Sequence, residues 1–207
     1  INADENVVVN DLNVSLNGSI IIEEGGSITV NGNLINNGNL TLESISNKYS
    51  SLIVEGTSTG NVNYNRHINN AAGANTTTSS NDLISAPVTG QSFGDFRSEN
   101  SNIPSGTING DPAFLFGTYN PATGNYVYYS PNEDSILSTG IGYVSGSSDG
   151  SDFTFVGNVE TSSINASIMS GGVNDWNLIG NPYPSYLNAQ DFLNNLSNSG
   201  LIDESAI

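Results

Sequence analysis

His67 is the chain's one histidine. A hydrolytic triad would need it beside a carboxylate and a serine such as Ser85. Ser85 does not stand in the glycine-flanked pattern of a nucleophile elbow, so catalysis by His67 with Ser85 is not expected. Carboxylates offer a second chemistry. Calcium takes about six to eight oxygens from carboxylates, amides and backbone. The densest acidic clusters, Asp149-Gly150-Ser151-Asp152 and Asn132-Glu133-Asp134, make Asp149, Asp152, Glu133 and Asp134 the candidate calcium ligands. Neither cluster has the EF-hand spacing or the glycine-rich calcium repeat, and solvated turns are the competing reading. A glycosidase would need two carboxylates about 5–9.5 Å apart in a cleft. The acids here stand beside Gly, Ser and Asn in turns, which points to solvent. Aromatic rings offer a third chemistry, because sugars stack their C–H faces on them. Tyr119, Tyr126, Tyr128 and Tyr129 flank one turn, and Trp176, Tyr183 and Tyr186 lie near another. Tyr119, Tyr126, Tyr128, Tyr129 and Tyr183 are the candidate carbohydrate contacts. Tyr126 and Tyr128 share one face of a strand, so one tyrosine set belongs to the core. Trp176 is expected to pack.

The elements that would carry these residues differ along the chain. From residue 7 to 66 the apolar residues alternate in short bursts: Val7 and Val9, Val14 and Leu16, Ile20 and Ile22, Ile28 and Val30, Leu40 and Leu42, Leu52 and Val54, Val62 and Tyr64. Period two marks half-buried strands. Asn17-Gly18, Gly25-Gly26, Asn31-Gly32 and Asn37-Gly38 punctuate them with residues that tolerate positive φ. These turns suit either an antiparallel meander or a β-solenoid whose corners carry stacked Asn side chains. The recurrence every six to eight residues favours the solenoid over residues 1–68. Residues 69–81 have no periodicity and little to bury, and are read as a linker.

Residues 82–207 show strand-like runs at Leu83-Ile84, Ala113 to Tyr119, Tyr126 to Tyr129, Ile141 to Val144, Phe153 to Val156 and Trp176 to Ile179. Their spacing suits an antiparallel β-sandwich, truncated at the end. At most one short helix is expected, near 188–196, where Ala189, Phe192, Leu193 and Leu196 fall at helical spacing behind Asn188. An internal echo runs through this half. Leu83 and Pro87 recur as Leu178 and Pro182, and Asp95-Phe96 as Asp191-Phe192, so residues 81–96 and 174–192 read as a pseudo-repeat. Arg66 is expected to pair with a carboxylate where the two segments meet.

Composition narrows the function further. The chain has 3 Lys+Arg, 20 Asp+Glu and no Cys, for a formal charge of -17. Three scattered cations cannot build a nucleic-acid footprint or dock on anionic lipid. Without Cys there is no disulfide framework and no thiolate metal site or nucleophile. Hydrophobic residues make up 36%, enough for a core, yet no apolar run approaches the about 18 residues of a membrane span. Ile1 is not an initiator Met and no secretory signal opens the chain, so a longer precursor is expected.

Trp176-Asn177-Leu178-Ile179-Gly180-Asn181-Pro182-Tyr183-Pro184-Ser185 resembles an element common in very large secreted proteins of Bacteroidetes. Gly60-Asn61-Val62-Asn63-Tyr64-Asn65-Arg66, Leu83-Ile84-Ser85-Ala86-Pro87-Val88, Tyr119-Asn120-Pro121-Ala122-Thr123-Gly124 and Gly140-Ile141-Gly142-Tyr143 follow the same order as in those proteins. The resemblance spans nearly the whole chain and implies export, commonly by the type IX route, with a sorting domain further downstream. It lends no catalytic residues. The chain departs at Asn81-Asp82-Leu83, where such proteins often carry Trp-His-Leu. Asp134-Ser135-Ile136 resembles the short O-glycosylation acceptor of Bacteroidetes, which makes Ser135 the candidate modified residue.

The expectation is an all-β, non-enzymatic structural or adhesive segment of an extracellular or cell-surface protein. Its candidate partners are surface glycans or other copies of itself, with calcium as the one candidate cofactor. A carbohydrate-binding module attached to a polysaccharide-degrading enzyme and a self-assembling surface-filament subunit are the alternatives.

Overall fold

The computed structural model describes residues 1–71, 81–195, 197, 198 and 200. Most of the expected linker, and Leu196 at the end of the expected helix, lie outside them. The first segment winds rather than meanders. Its strands are Asn6–Val9 (β1), Leu12–Val14 (β2), Ser19–Ile22 (β3), Ser27–Val30 (β4), Leu34–Asn36 (β5), Asn39–Leu42 (β6), Ser44–Ile45 (β7), Lys48–Tyr49 (β8), Ser51–Val54 (β9), Ser58–Thr59 (β10) and Val62–Arg66 (β11). Apart from the small β7–β8 hairpin, each pairs in parallel with a strand one full winding later. The three ladders are β1-β4-β9, β2-β5-β10 and β3-β6-β11. Asn6 stands opposite Ser27, Ser27 opposite Ser51, and Ser19 opposite Asn39, so a winding takes 20 to 24 residues. A meander would instead pair neighbours antiparallel.

Inward positions repeat from coil to coil because parallel register stacks like on like. Ile28 lies over Leu52, Val30 over Val54, and Ile22 over Leu42. These six side chains are buried, as are Leu34, Leu40 and Val62. Each transfers about 1.5–3 kcal/mol of side chain out of water. Corner amides add the rungs expected of them. Asp11 Oδ1 accepts the Asn33 N–H at 2.7 Å, and Asn33 Oδ1 accepts from Thr57 N and Oγ1 at 3.0 and 2.7 Å. Asn63 Nδ2 donates to Asn39 Oδ1 at 2.8 Å. Gly60 turns one corner at φ 88°, where a Cβ would strike the Asn36 carbonyl one coil earlier.

The second segment contributes Asp82–Ser85 (β12), helix Phe93–Glu99 (α1), Ser105–Ile108 (β13), Asp111–Phe114 (β14), Phe116–Asn120 (β15), Asn125–Tyr128 (β16), Gly142–Ser145 (β17), Phe153–Gly157 (β18) and helix Ala189–Asn194 (α2). The strands β12-β17-β15-β16 form an antiparallel sheet. By contrast β18 joins the first segment, running antiparallel to β11 from Val62–Gly157 to Arg66–Phe153. The two segments therefore share a sheet, and one core cluster runs through both. Rings join the second sheet to α1 and β18: Phe93 stacks on Phe116 at 5.1 Å, Phe116 on Tyr143 at 4.9 Å, and Phe96 on Phe155 at 4.6 Å.

The all-β class stands, with three corrections. Two helices occur among the described residues where at most one was expected. The sequence reading missed α1 because seven residues with Gly94 inside carry little periodicity. Its signature is the cap: Ser92 Oγ accepts the Asp95 N–H at 3.1 Å, and Phe93 and Phe96 are buried one turn apart. Trp176 to Ile179 makes no strand, only a single antiparallel bridge from Ile179 to Ile141. Trp176 is 47% exposed rather than packed. In the echo, Asp95-Phe96 and Asp191-Phe192 both fall in the first turn of a capped helix, Asn188 Oδ1 accepting the Asp191 N–H at 3.2 Å.

Candidate functional site

The feature with the most dedicated side chains is the far end of the coils, where β9 and β18 would each leave an unpaired edge. On β9 the outward amide of Leu52 donates to the Pro184 carbonyl at 2.7 Å. The Tyr186 hydroxyl accepts from Tyr49 N and donates to Tyr49 O, each at 3.0 Å. The segment that does this is stiff by construction. Pro182 and Pro184 fix φ and push their predecessors extended. Asn181 ties the turn, with Oδ1 accepting from Tyr183 N at 3.1 Å and Nδ2 donating to Ser185 O at 2.6 Å. Its own carbonyl accepts from Ser85 Oγ at 2.7 Å. Arg66 does not meet a carboxylate within ion-pair range among the described residues. Its guanidinium lies 4.1 Å from the centre of the Tyr49 ring, because that ring and not an acid faces it across β8 and β11.

On β18 the edge is closed by side chains that imitate a strand. Asn100 Oδ1 accepts from Thr154 N at 2.7 Å and its Nδ2 donates to Thr154 O at 3.0 Å and to Phe96 O at 2.7 Å. Gln91 Oε1 accepts from Val156 N at 3.1 Å. Both amides are buried. Sequence reasoning missed them, since two buried amides do not stand out in a chain this rich in Asn. The helix end just before Asn100 was the available signal, and it depended on seeing α1.

The tyrosines divide. Tyr119 faces Tyr126 across β15 and β16, and Gly117 faces Tyr128, which puts Tyr119, Tyr126 and Tyr128 on one face. Tyr126 is 39% exposed. The rings are not coplanar: Tyr119 and Tyr126 meet at 69°, Tyr126 and Tyr128 at 53°. The Tyr119 hydroxyl donates to Asn174 Oδ1 at 2.9 Å. Tyr129 belongs to the other face, edge-on to Phe93 at 4.9 Å, and burial pushes its hydroxyl upward in pKa. Tyr183 sits apart from both sets, donating to Ser162 O at 2.9 Å. A cleft of about 360 Å³ opens beside Tyr119, Tyr129, Tyr143 and Ser135, and another of about 290 Å³ beside Val54, Glu160 and Tyr183. The five candidate tyrosines thus do not form one site.

The acids do not gather either. Among the described residues no three Asp, Glu or His side chains converge on a metal-sized space. Asp149 holds its own turn, accepting from Ser151 N at 2.8 Å and Ser147 Oγ at 2.9 Å, which lowers its pKa. Glu133 accepts from Ser135 N at 3.0 Å and is lowered by the Ser135 hydroxyl and amide. Asp134 Oδ1 accepts from Gly94 N at 3.1 Å. Asp152 lies 3.2 Å from His67 Nδ1. Of the four candidate calcium ligands, Asp149 and Glu133 thus hold their own turns, Asp134 reaches the amide of Gly94 in α1, and Asp152 faces His67. His67 has an acid partner, but Ser85 is engaged with Asn181. Ser135 is exposed.

What the geometry defines is an all-β protein of stacked parallel coils, with amide side chains on the β18 edge and a proline-stiffened segment against β8 and β9. The chain belongs to the family described as Domain of unknown function (DUF8693), whose model matches residues 1–207. No curated protein and no solved structure matches it.

Proposed function

We propose that this chain is a non-enzymatic structural or adhesive segment of a large extracellular or cell-surface protein, in which residues 82–198 terminate a β-solenoid. The observation that carries the reading is the closed edge of β18. A soluble solenoid needs its last rungs covered, because open strand edges recruit other chains. Here Asn100 takes the Thr154 amide and carbonyl and Gln91 the Val156 amide of β18, while Pro184 takes the Leu52 amide of β9 and Tyr186 both backbone groups of Tyr49 in β8. A filament built head to tail would need both ends open, so this arrangement favours a terminating role over self-assembly. Export rests on the likeness of Trp176 to Ser185 to secreted proteins and on the amide-rich, Cys-free composition. Protease shaving of intact cells, read with an antibody to this chain, tests it. Cleavage before lysis is expected, and protection until lysis contradicts the location.

A carbohydrate-binding module is the second reading, favoured by the Tyr119, Tyr126 and Tyr128 face, on which Tyr126 is exposed and the other two are half-buried. Their 53–69° tilts leave no flat platform for a sugar ring. Glycan-array binding lost in Tyr128→Ala would establish it, and an array without signal would remove it.

A further inference from the structure

At the opposite end of the coils, among the described residues, only Ile1 reaches over the core. β1, β2 and β3 each stand last in their ladder, and no strand pairs with their outer edges among the described residues. Their inward side chains are the same apolar series as below: Val7 lies over Ile28, Val9 over Val30, Leu12 over Leu34 and Ile20 over Leu40. The lower members are buried while Val7, Val9, Leu12 and Ile20 are only partly so. Terminal coils of a solenoid normally turn polar or gain a cap. This one does neither.

Ile1 indicates what belongs there. Its nitrogen donates to Ile21 O at 2.8 Å, and its carbonyl accepts from Glu23 N at 3.0 Å. Those two bonds are the parallel pairing of Ile1 with Ile22, and they repeat the bond from Glu43 N to Ile22 O one coil later. Ile1 also packs on the core cluster. It therefore continues the inward column Ile22, Leu42 and Tyr64 upward by one coil.

We propose that β1, β2 and β3 carry a further coil, formed by residues that precede Ile1 in the natural polypeptide, whose third strand ends at Ile1. The spacing of the ladders sets its length at about 20–24 residues, with apolar side chains over Val7, Val9, Leu12 and Ile20. A second copy fits the same edge less well. It would bring a chain of formal charge -17 against its like, with Asp4, Glu5 and Asp11 at the contact end. The inference rests on the terminating role proposed above, since a closed far end leaves this edge as the route by which the coils continue.

Residue-resolved hydrogen exchange on the natural polypeptide, compared with residues 1–207 produced alone, tests it. The outward amides of Val8, Asn13 and Ile21 are expected to exchange at least tenfold more slowly in the longer protein, with unchanged rates in β4 to β6. Equal rates at Val8, Asn13 and Ile21 would overturn the proposal. So would their protection in residues 1–207 alone together with a concentration-dependent dimer in light scattering, which would make a second copy the occupant. Failure of the terminating role reads out elsewhere, as fast exchange at Thr154 and Val156 in both proteins.

Discussion

The hydroxyl of Tyr186 bridges the amide and the carbonyl of Tyr49, 137 positions away in the chain, at 3.0 Å to each. One side chain thereby satisfies both backbone groups of a residue at the margin of the last coil, beside the Leu52 to Pro184 hydrogen bond. Pro184 and Tyr186 thus share a physical task, holding their segment against β8 and β9 of the last coil.

Tyr186→Phe removes that bridge and keeps the ring against Tyr49. Stability is expected to fall by about 1 kcal/mol, the net value of an exposed hydrogen-bond pair. Tyr186→Ala also loses the ring contact and should fall further. Urea unfolding monitored by circular dichroism checks both.

Asn100→Ala strips the Thr154 amide and carbonyl of their side-chain partners inside the protein and takes one of two donors from the Phe96 carbonyl, which keeps the backbone N–H of residue 100. A loss of about 2–3 kcal/mol is expected, from buried groups left without partners. The exposed β18 edge should also recruit other chains, visible as larger particles in light scattering. A variant as stable and as monodisperse as the parent would contradict the sealing role.

Gly60→Ala places a Cβ against the Asn36 carbonyl at a φ of 88°. Strain at a left-handed position together with the clash predicts a loss of at least about 1–2 kcal/mol. Gly106→Ala, where a Cβ meets nothing within 4 Å, serves as the benign comparison.

Burial raises the Tyr64 hydroxyl from 10.0 to about 12, against the opposing pull of Arg66. The neutral form is favoured only in the folded chain, so this contribution is intact below about pH 10 and is lost as pH rises toward 12. Titration of tyrosinate absorbance should show late steps from Tyr64 and from the likewise raised Tyr128, Tyr129 and Tyr143, and Tyr64→Phe should remove one tyrosine's share of them. A late amplitude unchanged by the substitution would contradict the assignment.

Chelator should leave the melting midpoint unchanged, because Asp149, Asp152, Glu133 and Asp134 serve separate contacts. A calcium ion present at a hundred times its Kd would contribute about 2.7 kcal/mol. For a chain of this size that is a shift of about 5–11 °C.

The coils were legible because parallel stacking makes each inward position repeat. Val30, Val54 and their neighbours therefore announce themselves by alternation, and Asn31-Gly32 and Asn37-Gly38 mark turns between them. The second segment was less legible, because its order comes from contacts far apart in sequence. Phe93 and Phe96 pack against Phe116 and Phe155, contacts that no local pattern encodes. Arg66 met an aromatic ring where an acid was expected, and Trp176 stayed at the surface. The tyrosines were separable only in part. Alternation correctly put Tyr126 and Tyr128 on one face, whereas the pairing that adds Tyr119 to it needed the hairpin register.

Residue-resolved hydrogen exchange at Thr154 and Val156 tests the sealed edge most directly. Edge-strand amides that faced only water would exchange near the unstructured rate. Bonded to Asn100 and Gln91, they are predicted to rank with the slowest amides of the protein and to open only with global unfolding. Exchange within about tenfold of the unstructured rate, in a chain whose β4 to β6 amides remain protected, would contradict the account.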